Sequence, residues 1–537
     1  MVALAGLTRR GFLGGTLTGG SVLVGGPVLG ARPEAAAACP PPLGAVTVDA
    51  DDPRYGDLVS RGRNGRFAGR PQSVHVVGST EQVVRIVGDA VRAGKRIAVR
   101  SGGHCYENFV DDPGVQVLID LSEMKAVYFD PARKAFAVEG GATLGQLYRT
   151  LYLGWGVTVP GGACPSVGVG GHLAGGGYGP LSRRYGLAAD HLHAVEVVVV
   201  DGTGRARAVV ATGSPSDPNR DLWWAHTGGG GGNFGIVTRY WLRSPDARGA
   251  DPSGLLPAPP GTLLSASVTW QWEGMTEEAF TGLVRTYGAW HAENTGPDSP
   301  YAGLMSGLTL AHRENGPLTV NAALDGGLPG ADGLMDRFVA AMAKGTDVPH
   351  TSQTSTSSWL KATLSVPQGI GTVSFKTKSG FLRRPWSDRQ IAVVHRFLTE
   401  SGGDRWGTSV NLTLLGGRMN AVESSATAMP HRDALFSAVY ETMWGDPAGG
   451  ERQLAWIREF YRELHADTGG VPAPGPANAG AYINYPDVDL ADPRWNTSGV
   501  PWHTLYYGGN YPALRRAKRR WDPRDVFRHA LSIRAEG

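Results

Sequence analysis

Arg100-Ser101-Gly102-Gly103-His104-Cys105 and Pro160-Gly161-Gly162-Ala163-Cys164-Pro165-Ser166-Val167-Gly168-Val169-Gly170-Gly171-His172 decide how this chain reads. Each sets a nucleophile, His104 in the first and Cys164 in the second, among glycines. Adjacent glycines let several backbone N–H groups converge on a phosphate with no side chain in the way. Taken singly, a Gly-Gly-His is more often a turn, and a cysteine is more often a small buried apolar residue than a reactive one. Two further segments change that balance: Gly175-Gly176-Gly177-Tyr178-Gly179 and Thr227-Gly228-Gly229-Gly230-Gly231-Gly232-Asn233-Phe234-Gly235-Ile236-Val237. Four such segments in one half of the chain imply a diphosphate cofactor. The 228–232 run lacks the GxGxxG spacing of a nicotinamide-binding fold.

With these segments the chain resembles the berberine-bridge-enzyme-like FAD-linked oxidases of the vanillyl-alcohol-oxidase superfamily. Within them it is similar to the bacterial sugar oxidases, most of all the hexose oxidase of glycopeptide-antibiotic biosynthesis. The resemblance runs from about residue 70 to the C-terminus and includes the closing Trp521-Asp522-Pro523-Arg524-Asp525-Val526-Phe527-Arg528. It implies an α+β fold, with a split FAD-binding domain of the vanillyl-alcohol-oxidase type and an antiparallel-sheet substrate domain. It implies FAD held bicovalently, His104 on the flavin 8α-methyl carbon and Cys164 on C6. From the first segment it adds Arg100, Ser101, Gly102, Gly103 and Cys105 as cofactor contacts. The second supplies Gly161, Gly162, Val167, Gly168, Gly171 and His172, and the later ones Gly176, Gly232, Asn233, Gly235 and Val237. Val167 matches the family position thought to gate dioxygen, where valine accompanies oxidase behaviour.

The catalytic candidate follows from Ala481-Tyr482-Ile483-Asn484-Tyr485-Pro486-Asp487, which resembles the family's Tyr-x-Asn-Tyr segment. There the second tyrosine, Tyr485, deprotonates the substrate, while Tyr482 and Asn484 lie against the flavin. Tyr178 matches a tyrosine over the flavin. A phenol near its free pKa of about 10 is a poor base at neutral pH, so the pKa of Tyr485 is expected to be lowered by a second tyrosine or a cation. Trp270, Trp272, Trp359, Trp502, Tyr506 and Tyr507 are candidate stacking surfaces for a sugar.

Composition agrees with a large enzyme. At 537 residues the chain exceeds the usual size of one core, and a net charge of +3 gives no case for nucleic-acid binding. Three cysteines make no disulfide framework, and His104 and His172 lack partners at metal-ligand spacing. Thr8-Arg9-Arg10-Gly11-Phe12-Leu13, the weak apolar stretch after it and Ala35-Ala36-Ala37-Ala38 read as a twin-arginine signal over 1–38, implying secretion of a folded protein and no membrane span. The flavin domain is expected at 45–250 and again at 475–537, with the substrate domain at 251–474. Strands are expected at 73–77, 96–100, 115–121, 195–200, 265–272, 304–310 and 409–415. Helices are expected at 80–93, 276–291, 333–343 and 388–399. Asn411-Leu412-Thr413 and Asn496-Thr497-Ser498 are read as chance matches to a glycosylation signal.

The functional expectation is an oxidase taking the C6 primary alcohol of a glycopeptide-linked hexose or hexosamine to the carboxylic acid with dioxygen as acceptor. Its partner is a glycosylated small molecule or glycopeptide. The alternatives are oxidation of oligosaccharide C1 or another sugar hydroxyl, a berberine-bridge-type oxidative cyclisation, or a secreted flavin- or carbohydrate-binding protein without catalysis.

Overall fold

The β-branched runs near the start of the chain become strands and pair as a small mixed sheet. Its strands β1 (Val46–Asp49), β2 (Ser73–Val76), β3 (Ile97–Arg100) and β4 (Val117–Asp120) take the order β1-β2-β4-β3. The β1–β2 pair is antiparallel and the others are parallel. Every residue of the central strand β4 is buried, as expected when both faces are covered. The helix Thr80–Arg92 follows β2, its N-terminus capped by Ser79, which accepts a hydrogen bond from Gln82 N–H, and it turns Val83, Ile86, Val87 and Ala90 inward. The structure is a computed structural model that describes residues 44–535 apart from 295, 297, 367–371, 403 and 404. The signal expected at 1–38 lies outside the described residues.

A second sheet is wholly antiparallel. Strands β5 (Val127–Asp130), β6 (Ala135–Glu139), β7 (Leu192–Val200), β8 (Ala206–Thr212) and β9 (Ile236–Leu242) run in the order β5-β6-β9-β7-β8. The Asp201-Gly202 pair opens the β7–β8 hairpin, where Asp201 N–H donates to the Arg205 carbonyl.

The third sheet has eight antiparallel strands: β10 (Thr262–Trp270), β11 (Met305–Ala311), β12 (Leu318–Asp325), β13 (His350–Ser358), β14 (Ser374–Leu382), β15 (Ser409–Leu414), β16 (Phe436–Trp444) and β17 (Asn478–Gly480). Their order is β13-β10-β12-β11-β15-β16-β14-β17. Along β10, Leu264, Ala266, Val268 and Trp270 are buried and join the core, which also takes residues of the helices Glu277–Asn294, Ala331–Ala343, Asp388–Thr399 and Gly450–Leu464. The intervening Ser265, Ser267 and Thr269 face the other way. The sequence reading found β10, β11 and β15 here and left out the rest. For β13 and β14 the reason is visible: β13 is His-Thr-Ser-Gln-Thr-Ser-Thr-Ser-Ser, an exposed edge strand, and β14 carries two lysines, so neither shows the apolar alternation that marks a strand.

Those lysines anchor the sheet to the rest of the molecule. Lys376 pairs with Glu107 and with Asp487 at 2.7 Å, and Lys378 pairs with Asp487 at 2.7 Å and Asp489 at 2.9 Å. Arg458 closes the cluster on Asp489 at 2.9 Å. Burial alone would drive Lys376 toward the neutral form, but Asp487, Glu107 and Asp489 outweigh it and hold the ammonium well above its usual pKa. Lys376→Met removes one partner of this buried cluster and leaves Glu107 uncompensated. It should cost about 3–5 kcal/mol and appear as a lowered apparent Tm in scanning calorimetry.

Candidate functional site

A cavity of about 680 Å³ runs between the glycine-rich loops and the eight-stranded sheet, within the size range of small-molecule and cofactor sites. The loops form one wall because their backbones touch. A Cβ on Gly102 would lie 2.3 Å from Gly168 N, and one on Gly168 would lie 2.2 Å from Gly102 N, so neither position admits a side chain. This contact carries His104 to Cys164: His104 Nε2 is 3.0 Å from Ser166 Oγ, and Cys164 Sγ is 3.3 Å from the same oxygen. Burial and, after it, the nearby Arg63 cation lower the His104 pKa to about 4, so its imidazole is neutral at ordinary pH. Cys105, although it lines the same cavity, donates its thiol to the Glu107 carbonyl, and burial pushes it up to about 12. Its thiol stays protonated and unreactive.

The residues fit FAD. The N–H groups of Gly102, Gly103 and His104 donate to no group among the described residues, and a Cβ on cavity-lining Gly171 or Gly231 would meet nothing within 4 Å. Open backbone of this kind suits a diphosphate. Ser101, Gly162, Val167, Gly232, Gly235 and Val237 line the cavity as well. Asn233 shapes its loop, its amide donating to the Gly229 and Gly230 carbonyls while its Oδ1 accepts from Ile533 N–H. The C-terminal segment locks this arrangement, for buried Lys518 bridges the Asn233 carbonyl at 2.8 Å and Asp522 at 2.6 Å.

The tyrosines gather where the 175–179 loop meets the 481–487 segment. Tyr485 OH lies 3.1 Å from Tyr178 OH, which lies 3.0 Å from Ser437 Oγ on β16. Tyr482 OH accepts from Gly177 N–H at 3.0 Å and from Asn484 Nδ2 at 2.9 Å, and Asn484 also donates to the His172 carbonyl. Asn484 fills the space a side chain at position 175 would need, since a Cβ there would fall 2.1 Å from its Oδ1. Tyr106 stacks on Tyr485 with centroids 5.5 Å apart and rings 10° from parallel.

The sheet contributes a row of mostly polar residues. Cross-strand register aligns Gln353, Ser267, Asn321, Gly307, Thr413 and Ser437, so the row runs from the edge strand to the Tyr178 hydroxyl. Asn321, Thr413 and the neighbouring Asn411 line the cavity. Asn411 and Thr413 were set aside in the sequence as a chance glycosylation match. The usable signal was the alternation of Ser409, Asn411 and Thr413 with Val410, Leu412 and Leu414, which marks a strand with one polar face. Tyr106 was also missed, although it follows His104 and Cys105 directly.

Several expectations need correction. Gly161 and Gly176 do not line the cavity: Gly161 packs its carbonyl against Gly179, and Gly176 faces Met429. Arg100 lines it, and while its Nε and Nη2 bond Asp120 and the Leu58 carbonyl, its buried Nη1 has no partner among the described residues. His172 lines the cavity and also braces the loop, accepting from Gly162 N–H at 3.0 Å with burial holding it down to about 4. Trp270, Trp359, Tyr506 and Tyr507 are core residues, 0 to 3% exposed, and none of the six aromatics named as stacking surfaces reaches the cavity. The pKa of Tyr485 is raised well above its ordinary value, by burial first and then by Tyr178 and Tyr106. The nearby cation, Arg63, acts instead on Tyr106, His104 and Glu441.

A family model described as an FAD binding domain matches residues 71–206, and one described as berberine and berberine like matches 481–534. The chain is 55% identical to aclacinomycin-N/aclacinomycin-A oxidase of Streptomyces galilaeus over 100% of both chains. It is 30% identical to hexose oxidase of Chondrus crispus over 91% of this chain and 95% of that one. The solved structure of aclacinomycin oxidoreductase superposes with a TM-score of 0.89 at 56% identity, covering 92% of this chain and 100% of that one. Glycopeptide hexose oxidase complexed with teicoplanin gives 0.89 at 50% identity with the same coverage.

The Gly102–Gly168 contact makes a direct prediction. Gly102→Ala should push the two loops apart and separate His104 from Cys164. The variant is expected to hold less FAD than the parent protein, read as the flavin-to-protein absorbance ratio after gel filtration.

Proposed function

Because the chain belongs to the berberine-bridge-enzyme-like family of FAD-linked oxidases, we propose that it oxidises a sugar alcohol of a glycosylated natural product, with FAD bonded to His104 and Cys164 and dioxygen as final acceptor. When bound, FAD accepts the hydride and passes its electrons to dioxygen, which leaves as hydrogen peroxide. The chain's own part is to hold the cofactor and to remove the hydroxyl proton.

The observation that carries this reading is the hydroxyl chain Tyr485–Tyr178–Ser437, which meets a row of amides and hydroxyls in the cavity that His104 and Cys164 also line. A sugar offers many hydroxyls, and Asn321, Asn411 and Thr413 offer both donors and acceptors to meet them. Tyr485 takes the proton of the hydroxyl being oxidised, and Tyr178 shares the charge that develops on its oxygen. The substrate is the C6 primary alcohol of a hexose or hexosamine on a glycopeptide scaffold, taken to the acid in two two-electron rounds, with water adding to the intermediate aldehyde and one dioxygen reduced to hydrogen peroxide in each round. Similarity to aclacinomycin oxidase supports a second reading, oxidation at another sugar position. Mass spectrometry separates them, since the first replaces two hydrogens by one oxygen and the second removes two hydrogens. Export through the segment at 1–38 completes the proposal.

Acid-precipitated protein should stay yellow, and His104→Ala or Cys164→Ala alone should keep flavin through the remaining bond. The double variant should release it to the supernatant, and acid-stable flavin in that variant would refute the assignment.

Tyr485→Phe should retain the flavin yet slow its anaerobic reduction by a glycosylated antibiotic by about 10²–10⁴-fold, the loss expected of a general base. The pH dependence has a definite sign. Because the Tyr485 pKa lies above the ordinary phenol value of about 10, the rate in the parent enzyme should climb with pH throughout the range below that value. Stopped-flow bleaching measures both, and the climb should vanish in the Phe variant.

A further inference from the structure

Both nucleophiles share one hydroxyl, and that sharing couples them. Ser166 is held for the purpose by its own turn, in which Val167 N–H donates to the Cys164 carbonyl and Gly145 N–H donates to the Pro165 carbonyl. A serine hydroxyl has one hydrogen to give and lone pairs to receive, while a neutral imidazole carries one N–H and one bare nitrogen. With His104 Nε2 and Cys164 Sγ both on Ser166 Oγ, two arrangements satisfy every partner.

In one, the thiol donates to Ser166 and Ser166 donates to Nε2. The imidazole hydrogen then sits on Nδ1 and the sulfur keeps its proton, so neither group is nucleophilic. In the other, the thiol has given its proton to solvent, Nε2–H donates to Ser166 and Ser166 donates to the resulting thiolate. Nδ1, which makes no hydrogen bond among the described residues, then presents a bare lone pair to the cavity, and the sulfur is the reactive anion. We propose that Ser166 is a positioning residue for cofactor attachment, arming His104 and Cys164 together through the Nε2–H to Oγ and O–H to Sγ arrangement.

The inference rests on the bicovalent reading above. Each attachment replaces a flavin C–H and a protein N–H or S–H by a C–N or C–S bond. The two hydrogens depart as two protons and two electrons, which dioxygen, the acceptor of the oxidase reaction, carries away as hydrogen peroxide. At His104 the departing proton is the one on Nε2, and Ser166 is the group in contact with it.

Ser166→Thr and Ser166→Val test this, because their side chains are nearly isosteric and differ by the hydroxyl. Full-length protein from flavin-limited cells is incubated aerobically with FAD, and flavin on the His104 and Cys164 peptides is followed by mass spectrometry. Expected is attachment slowed about tenfold or more at both residues in the Val variant, the loss of hydrogen bonds to a charged group, with the Thr variant near the parent rate. Parent rates at both residues in the Val variant would overturn the proposal, as would slowing at one residue alone or a Thr variant as slow as Val. A parent protein with flavin on neither peptide is a distinct result, refuting the bicovalent reading and with it this inference.

Discussion

The buried charge cluster of Lys376, Lys378, Arg458, Glu107, Asp487 and Asp489 is the constraint on which the site depends. The lysines and the carboxylates are at most 4% exposed at the side chain, so each is worth keeping only while its partners stay in place. Lys376 and Lys378 stand two residues apart on the same face of β14 and would repel one another without the carboxylates between them. Those carboxylates come from two distant parts of the chain. Glu107 follows Tyr106 directly and Asp487 comes two residues after Tyr485, so charge pairing sets the two stacked rings beside each other. Arg458 brings in the helix Gly450–Leu464.

At the glycine-rich loops the constraint is steric. Backbone-to-backbone contact at Gly102 and Gly168 leaves His104 and Cys164 on either side of Ser166, and the C-terminal ion pair of Lys518 with Asp522 holds the Asn233 loop that completes the wall. Electrostatics then divide the labour. Burial keeps His104 neutral and therefore able to act as a nucleophile, renders Cys105 inert, and makes each phenol reluctant to ionise. A reluctant phenol accepts a proton strongly once it is ionised, which suits a base that must strip an alcohol.

Much of this was legible in one dimension because it is local. The glycine runs, both nucleophiles and the Tyr482-Ile483-Asn484-Tyr485 segment are contiguous, and so are the apolar periodicities behind the helices Thr80–Arg92 and Asp388–Thr399. The sequence by itself therefore determined the cofactor class, the two attachment residues proposed and the catalytic tyrosine proposed. What it left out arises from pairing across long separations. Strand β14 is recognisable as a strand only once Glu107 and Asp487 are known to neutralise its lysines, and Asn411 and Thr413 become site residues only when register aligns them with Asn321 and Ser437. Nothing local singles out Ser166, whose role arises only where folding places His104 on its hydroxyl. The environment of Tyr485 was likewise a tertiary decision: its pKa depends on how much water the surrounding rings exclude, and that follows from packing between segments that no local pattern relates.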